Sequence, residues 1–319
     1  MHKYKTPREY LESDQWNDYH VDVANEYYSI NVQQLAKNPV FLDCLRAPKG
    51  YKFVQLDFTA LEPNVLAEFS GDPCYKEIYA SGKPHDVYFF VSCKLLDADG
   101  EIAKVYNPEN PTKESVAAAK KLFKPERTIG KVFQLMSTYK AGAAAIHRKL
   151  LLSGVEITKD EVAEIHRKYW GPDLFGAIKE YDESLVQEVK QRDGWLMNGL
   201  GRPLAVTDRK MKDVVNTHTQ STGHDLTDLL ILYTEEFAEE RGINATPVIP
   251  DYHDETIWMC PTEQAEELAK CMSDAVDKIN KVVKFGIPLK GTPEICDTFT
   301  DFKGPDPVDW YEAKLEGLR

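Results

Sequence analysis

Strand-like alternation marks only two parts of this chain, and a long run of helical pattern separates them. In YKFVQLDF, residues 51–58, Val54, Leu56 and Phe58 share one face, and Phe53, Gln55 and Asp57 share the other. Ala245–Cys260 returns to the same character, with polar Asp251–Asp254 in its middle, the pattern of a hairpin with a charged tip. Between them the spacing predicts helices over Glu62–Ser70, with Pro63 tolerated in its first turn, and over Thr112–Lys124, ending at Pro125. Further helices are predicted over Arg127–Leu150, over Thr158–Trp170 with a Thr158–Glu161 capping box, and over Pro172–Asp193, closed by Gly194. Asp208–Glu240, closed by Gly242, and a last helix over Thr262–Phe285 complete the set. The first 50 residues and Asp97–Pro111 show little periodicity and read as irregular. A strand, many helices and then a hairpin predict an α+β fold, a small antiparallel sheet interrupted by a largely helical insertion.

Composition narrows the function. The 319 residues carry 52 acids against 39 bases, a net charge of −13, which argues against a passive nucleic-acid coat. It leaves room for an enzyme whose acids gather at metal ions while its bases line a groove. Apolar residues at 42% fit a folded domain, and the longest apolar stretch, near Leu229–Tyr233, is far too short for a bilayer. The start, MHKYKTPREY, has no apolar signal core, so membrane and secreted readings drop out. Six cysteines (Cys44, Cys74, Cys93, Cys260, Cys271, Cys296) form no C-x-x-C pair and read as reduced thiols of a cytoplasmic protein, the host cytoplasm if a phage encodes it.

Two carboxylates stand out. Asp57 ends a strand just before a helix, and Asp254 sits at the hairpin tip. A single strand-end aspartate is more often a solvated turn residue. Two on adjacent strand ends can bind a pair of divalent ions, activating an attacking oxygen and stabilising a leaving one in phosphoryl transfer.

The wider context favours the second reading. LDFTALEPNVLAEFSGD (56–72) resembles the first palm motif of family A DNA polymerases through Asp57, Glu62, Val65, Leu66, Ala67, Ser70, Gly71 and Asp72. By that resemblance Asp57 is a metal ligand together with the carbonyl of Phe58, and Glu62 is the steric gate against a ribose 2′-hydroxyl. RTIGKVFQLMSTYKAG resembles the fingers-helix motif, supplying Arg127, Lys131 and Tyr139 at the family's spacing, with Leu135 at its aromatic position. Four-residue steps wind slowly round a helix, so these residues form one stripe suited to a triphosphate and a base. His253-Asp254-Glu255 matches the third motif, which makes Asp254 the second metal ligand, groups Glu255 with the catalytic acids and sets His253 at the primer end. Asn216, Gln220 and Asp225, with Arg202 after Gly201, resemble residues that approach the duplex. Asn31 and Gln33, with the turn residues Ala47, Pro48 and Gly50, resemble a further DNA-contacting segment, and His85 resembles a phosphate-contacting histidine.

The resemblance implies a palm (1–72 and 216–319) interrupted by fingers (73–215), with no thumb or exonuclease domain. It implies two Mg²⁺ ions, with Mn²⁺ as an alternative, and primer–template DNA and a dNTP as ligands. With 56 residues ahead of Asp57, a separate thumb- or exonuclease-bearing subunit is the expected partner, and Trp310 and Tyr311 offer an anchor. The sequence departs from the family at Leu135, Met136 and Lys140 on the fingers helix and at Ala60, Asn64 and Ser221 elsewhere. Those departures keep a non-catalytic DNA-binding subunit open as the alternative; a single-subunit RNA polymerase and a two-metal nuclease are the remaining rivals.

Overall fold

The structure, a computed structural model, describes residues 44–97, 99–138, 140–252 and 254–299. Asn31, Gln33, Tyr139, His253, Trp310 and Tyr311 therefore lie outside the described residues, as does the irregular start expected before residue 44. The chain divides into two compact units. The smaller combines Met1–Phe53 with Ile295–Arg319; in it the Ala47 N–H donates to the Asp297 carbonyl at 2.9 Å and Phe53 meets Phe299 edge-on at 5.2 Å. The larger, Val54–Glu294, carries the features followed below.

The strand at Tyr51–Phe58 forms as predicted (β1), with Val54, Leu56 and Phe58 almost completely buried and Asp57 exposed. The α1 helix, Leu61–Ser70, follows at once. The turn between them passes through Ala60 at φ 53°, a left-handed conformation that few non-glycine residues adopt, and the Asn64 side-chain amide ties it by donating to the Thr59 carbonyl at 2.9 Å. A helical region then runs through α2 (Pro73–Ala80), α3 (Val87–Leu95), α4 (Glu101–Tyr106), α5 (Lys113–Leu122), α6 (Lys124–Thr138), α7 (Ala143–Leu152), α8 (Lys159–Tyr169) and α9 (Gly176–Gln191). The short ribbon of β2 (Trp195–Met197) and β3 (Pro203–Ala205) leads into the long α10 (Val214–Glu240). The hairpin of β4 (Thr246–Tyr252) and β5 (Glu255–Pro261), α11 (Ala265–Val283) and β6 (Gly291–Cys296) complete the described chain. The main sheet has the order β4-β5-β1-β6, so β1 lies next to a strand that follows it by some two hundred residues.

Several boundaries differ from the expected ones for identifiable reasons. Pro125 does not end a helix; it sits in the first turn of α6, where a missing N–H costs nothing. The single helix expected over Arg127–Leu150 is two, because Lys140 turns to φ 56° and α7 restarts after Gly142. Asp97–Pro111 is not wholly loop: Asp97 accepts from the Ile102 and Ala103 amides and starts the one-and-a-half turns of α4. The helix expected from Asp208 opens as a 3₁₀ turn, Asp208–Asp213, before α10. The Thr158–Glu161 capping box is present as read, with the Glu161 amide 3.2 Å from Thr158 Oγ1 and the Thr158 amide 2.8 Å from Glu161 Oε2.

Packing sets where these elements lie. Along α11, Leu268, Cys271, Met272, Ala275 and Ile279 are fully buried at three-to-four spacing, against α10 and β5. Each large side chain so buried contributes roughly 1.5–3 kcal/mol. In the helical region α3 crosses α6 so closely that a Cβ on Gly130 would stand 2.2 Å from the Tyr88 carbonyl oxygen and 2.4 Å from Ser92 Oγ. Only glycine fits there, and the crossing fixes the helix that bears Arg127 and Lys131.

Candidate active site

The sheet brings the backbone segments that carry the two expected aspartates together. The Phe58 amide donates to the Asp254 carbonyl at 2.9 Å, so the end of β1 is bonded to the turn that joins β4 to β5. Asp57 precedes that bond on an exposed position, and Asp254 is half-buried beside it. On the other side the Thr59 amide reaches the Lys290 carbonyl at 2.7 Å, and a Cβ on Gly291 would lie 3.1 Å from the Asp57 carbonyl oxygen and 2.6 Å from Leu56 Cδ2. Glu255 takes a different course: it is 2% exposed and accepts a hydrogen bond from Gln55 Nε2, inside the sheet. Gln55 shares the β1 face of Asp57, so that face carries a buried amide–carboxylate pair behind an exposed carboxylate.

Among the described residues, no group of three or more His, Cys, Asp or Glu is placed to hold a metal ion. Asp57, Asp254 and the Phe58 carbonyl instead offer a sparse set of hard oxygen donors. That set fits Mg²⁺, which keeps several waters and completes its shell with substrate phosphates rather than with an all-protein cage.

Of the expected stripe, Arg127, Lys131 and Leu135 lie on α6, while Tyr139 is outside the described residues. Lys131 is exposed and Leu135 is 44% exposed, while Val132, Phe133 and Gln134 face the core. Arg127, Lys131 and Leu135 line a groove of about 610 Å³ with Lys120, Lys124 and Lys149. Arg127 is engaged there, donating from Nε and Nη2 to Asp86 Oδ2 at 3.0 and 2.9 Å. His85 is placed differently from its expected role. Its side chain is fully enclosed, with Nδ1 3.1 Å from the Tyr106 hydroxyl and Nε2 3.2 Å from Glu77 Oε1. Burial pulls its pKa down, against the opposing effect of Glu77. A phosphate would reach that ring only by displacing Glu77.

On the other flank of α6 lies a second cavity, about 480 Å³, which Glu62, Leu135 and Asn216 share with Tyr75, Tyr88 and Thr138. It therefore collects predicted residues from the first palm motif, the fingers helix and α10. One wall is held by Gln134, whose amide donates to the Tyr75 hydroxyl at 2.6 Å and accepts from the Tyr169 hydroxyl at 3.1 Å. Lys140 and Asp182 close an ion pair of 2.7 Å at the rim.

Arg202, Asn216 and Gln220 cluster around α10. Asn216 and Gln220 are one turn apart, half-buried and exposed respectively. Arg202 pairs with Asp225 at 2.6 Å, and Asn198 donates to the same carboxylate at 2.6 Å. Beneath them His218 is 4% exposed, edge-on to Phe69 at 5.0 Å, with the Tyr181 hydroxyl 3.2 Å from Nδ1. Sequence reasoning missed Asp86, Gln134 and Asn198. A signal existed only for Asp86, an aspartate directly ahead of the apolar run VYFFV, where a helix N-cap belongs.

Comparison with known proteins bears on this site. The sequence model of DNA polymerase family A matches residues 29–301. DNA polymerase I of Aquifex aeolicus (strain VF5) is 24% identical over 259 residues, 80% of this chain and 40% of that protein. The DNA polymerase of Mycobacterium phage D29 is 25% identical over 240 residues, 74% of this chain and 34% of that protein. The DNA polymerase of Bacillus phage SP01 is 23% identical over 283 residues, 84% of this chain and 27% of that protein. This chain thus spans well under half the length of these curated relatives. Among solved structures, the POL domain of Pol1 from M. smegmatis, in complex with DNA primer-template and dNTP, superposes with a TM-score of 0.61 at 16% identity, covering 81% of this chain and 42% of that one. At that identity the likeness speaks for the fold.

Proposed function

The chain belongs to DNA polymerase family A, and on that footing we propose that it performs template-directed DNA synthesis, transferring nucleotides from dNTPs to a primer 3′-hydroxyl. The observation that supports this reading is the backbone bond from the Phe58 amide to the Asp254 carbonyl, which joins the end of β1, where the motif aspartate Asp57 lies, to the turn that carries Asp254. Asp57, Asp254 and the Phe58 carbonyl would hold Mg²⁺. The ions, when bound, supply Lewis-acid stabilisation of the phosphoryl oxygens and of the attacking hydroxyl.

The chain's own groups do the rest. Lys131 and Arg127 present N–H donors to the triphosphate from one groove, where a multiply charged anion gains most from converging cations. Glu62, at the wall of the neighbouring cavity, excludes a sugar bearing a 2′-hydroxyl. Leu135 lies on both groove and cavity, in position to cover the incoming sugar and base, and Tyr139 is assigned beside it. Arg202, Asn216 and Gln220 face duplex DNA, with His253, Asn31 and Gln33 assigned to the same ligand by motif. Glu255, held by Gln55, acts by supporting the turn that carries Asp254. His85 is kept as a phosphate contact only on condition that Glu77 gives way.

The division into palm (1–72 and 216–319) and fingers (73–215), action in the cytoplasm, and work with thumb and exonuclease parts belong to the same proposal. The matched relatives extend well beyond the matched region, and a pull-down from the source would recover any companion chain that supplies those parts. No described helix is long and apolar enough to cross a membrane. Primer extension with Mg²⁺ and dNTPs tests the core reading. Asp57→Asn and Asp254→Asn should each lower the rate by at least about a hundredfold while primer–template binding persists. Extension indifferent to Asp254, or a preference for rNTPs over dNTPs, would overturn it; DNA binding with no Asp254-dependent extension would favour the non-catalytic subunit.

A further inference from the structure

Arg127 is the guanidinium assigned to the triphosphate, and it is not loose. Two of its N–H groups, on Nε and Nη2, converge on a single oxygen, Asp86 Oδ2. Its guanidinium carbon lies 4.8 Å from the centre of the Tyr88 ring, so one face of the fork is covered as well. Asp86 is itself fixed from several sides. Its Oδ1 accepts from the Tyr88 and Phe89 amides at 3.1 and 3.2 Å, capping α3. The Tyr106 hydroxyl accepts from the Asp86 amide at 3.1 Å and donates to the Asp86 carbonyl at 3.2 Å. Lys120 Nζ stands 3.5 Å from Oδ2, and the Asp86 side chain is only 7% exposed. One buried carboxylate thus holds the first turn of α3 with one oxygen and an arginine of α6 with the other.

A guanidinium carries five N–H groups in a rigid plane. Using one N–H each from Nε and Nη2 fixes that plane and leaves both Nη1 hydrogens and the second Nη2 hydrogen for acceptors in the groove that Arg127 lines. An arginine already locked in one rotamer loses little freedom when a phosphate arrives, and that saving appears as affinity. The Asp86 charge does not repel the ligand unopposed, because Lys124, Lys131 and Lys149 line the same groove.

We propose that Asp86 is a positioning residue for nucleotide binding: it orients Arg127 toward the triphosphate and acts on dNTP affinity, not on the chemical step. This rests on the reading that Arg127 contacts the triphosphate, and the test separates the two. Asn and Ser both cap helices well, so Asp86→Asn and Asp86→Ser preserve the start of α3 while removing the charged acceptor; thermal unfolding checks that they do. The dNTP dissociation constant is measured with a dideoxy-terminated primer–template and Mg²⁺, and kcat by primer extension. Both variants should raise Kd about tenfold with kcat within about twofold. Arg127→Ala should raise Kd at least as much, and adding Asp86→Asn to it should change Kd by less than about twofold, since a residue acting through another has nothing left to position. Asp86→Asn that leaves or lowers Kd while Arg127→Ala raises it, or that raises Kd equally in the Arg127→Ala background, overturns the positioning role alone. Arg127→Ala without effect on Kd refutes the triphosphate reading, and the positioning role with it.

Discussion

Acidification should act on this fold through His218. Burial among Phe69, Tyr181 and the body of α10 holds its pKa down at about 4, against 6.5 for a free imidazole. In the unfolded chain His218 takes up a proton as the pH falls below 6.5, while in the folded chain it stays neutral until about 4. Within that window the unfolded state binds more protons, so stability falls as pH falls, and the loss is complete below the folded pKa. Two and a half units correspond to about 3 kcal/mol in full, of which about 2 kcal/mol should be lost between pH 7 and pH 5. His218→Gln removes the titration. It also costs packing, but that cost is the same at both pH values and cancels in the difference. Chemical denaturation of both proteins at pH 7 and pH 5 gives four unfolding free energies. The drop for the parent should exceed the drop for the variant by about 2 kcal/mol, every other titrating group being common to both. Equal drops would refute the argument, because they would mean that the folded imidazole charges as easily as the unfolded one.

Three further outcomes follow from the geometry. Gly130→Ala forces a methyl against the Tyr88 carbonyl and Ser92 Oγ, so it should destabilise by about 2 kcal/mol or more and weaken dNTP binding, as read by thermal unfolding and nucleotide titration. Gln55→Leu removes the amide that donates to the buried Glu255 carboxylate and should cost roughly 1–3 kcal/mol, with primer extension falling as the Asp254 turn loosens. Glu62→Ala should raise rNTP incorporation relative to dNTP incorporation in single-nucleotide extension assays; an unchanged ratio would remove Glu62 from the gate.

That Asp57 and Asp254 fall near neighbouring strands was legible because both lie on alternating apolar segments that each need a sheet partner. The Thr158–Glu161 capping box was legible for a similar reason: it is local, and its partners lie three residues apart. What escaped was non-local. Strand β6 has little alternation and becomes a strand by lying beside β1. The break between α6 and α7 depends on Lys140 adopting a left-handed turn, which propensity does not announce. Asp86 drew no notice in the sequence, and its hold on Arg127, 41 residues away, exists only because Gly130 lets α3 and α6 touch. His85 matched a motif in type and order, yet the Glu77 and Tyr106 side chains that enclose its ring could not be inferred from its neighbours.

The sheet order has a consequence for how such a chain can vary. The excursion from the end of β1 returns to the sheet at β4, and the hairpin then lays β5 against β1, so the spacing of Asp57 and Asp254 is set by the β1–β5 register and not by the length of what lies between. Loop-closure cost grows only slowly with length, so that excursion can gain or shed helices at little expense to the sheet. The register has no such latitude. A one-residue deletion within β1 would exchange its faces, turning Leu56 outward and Asp57 into the core. Tolerance to insertion should therefore be sharply divided along this sequence, generous across the helical excursion and close to nil over the eight residues of the strand where it begins.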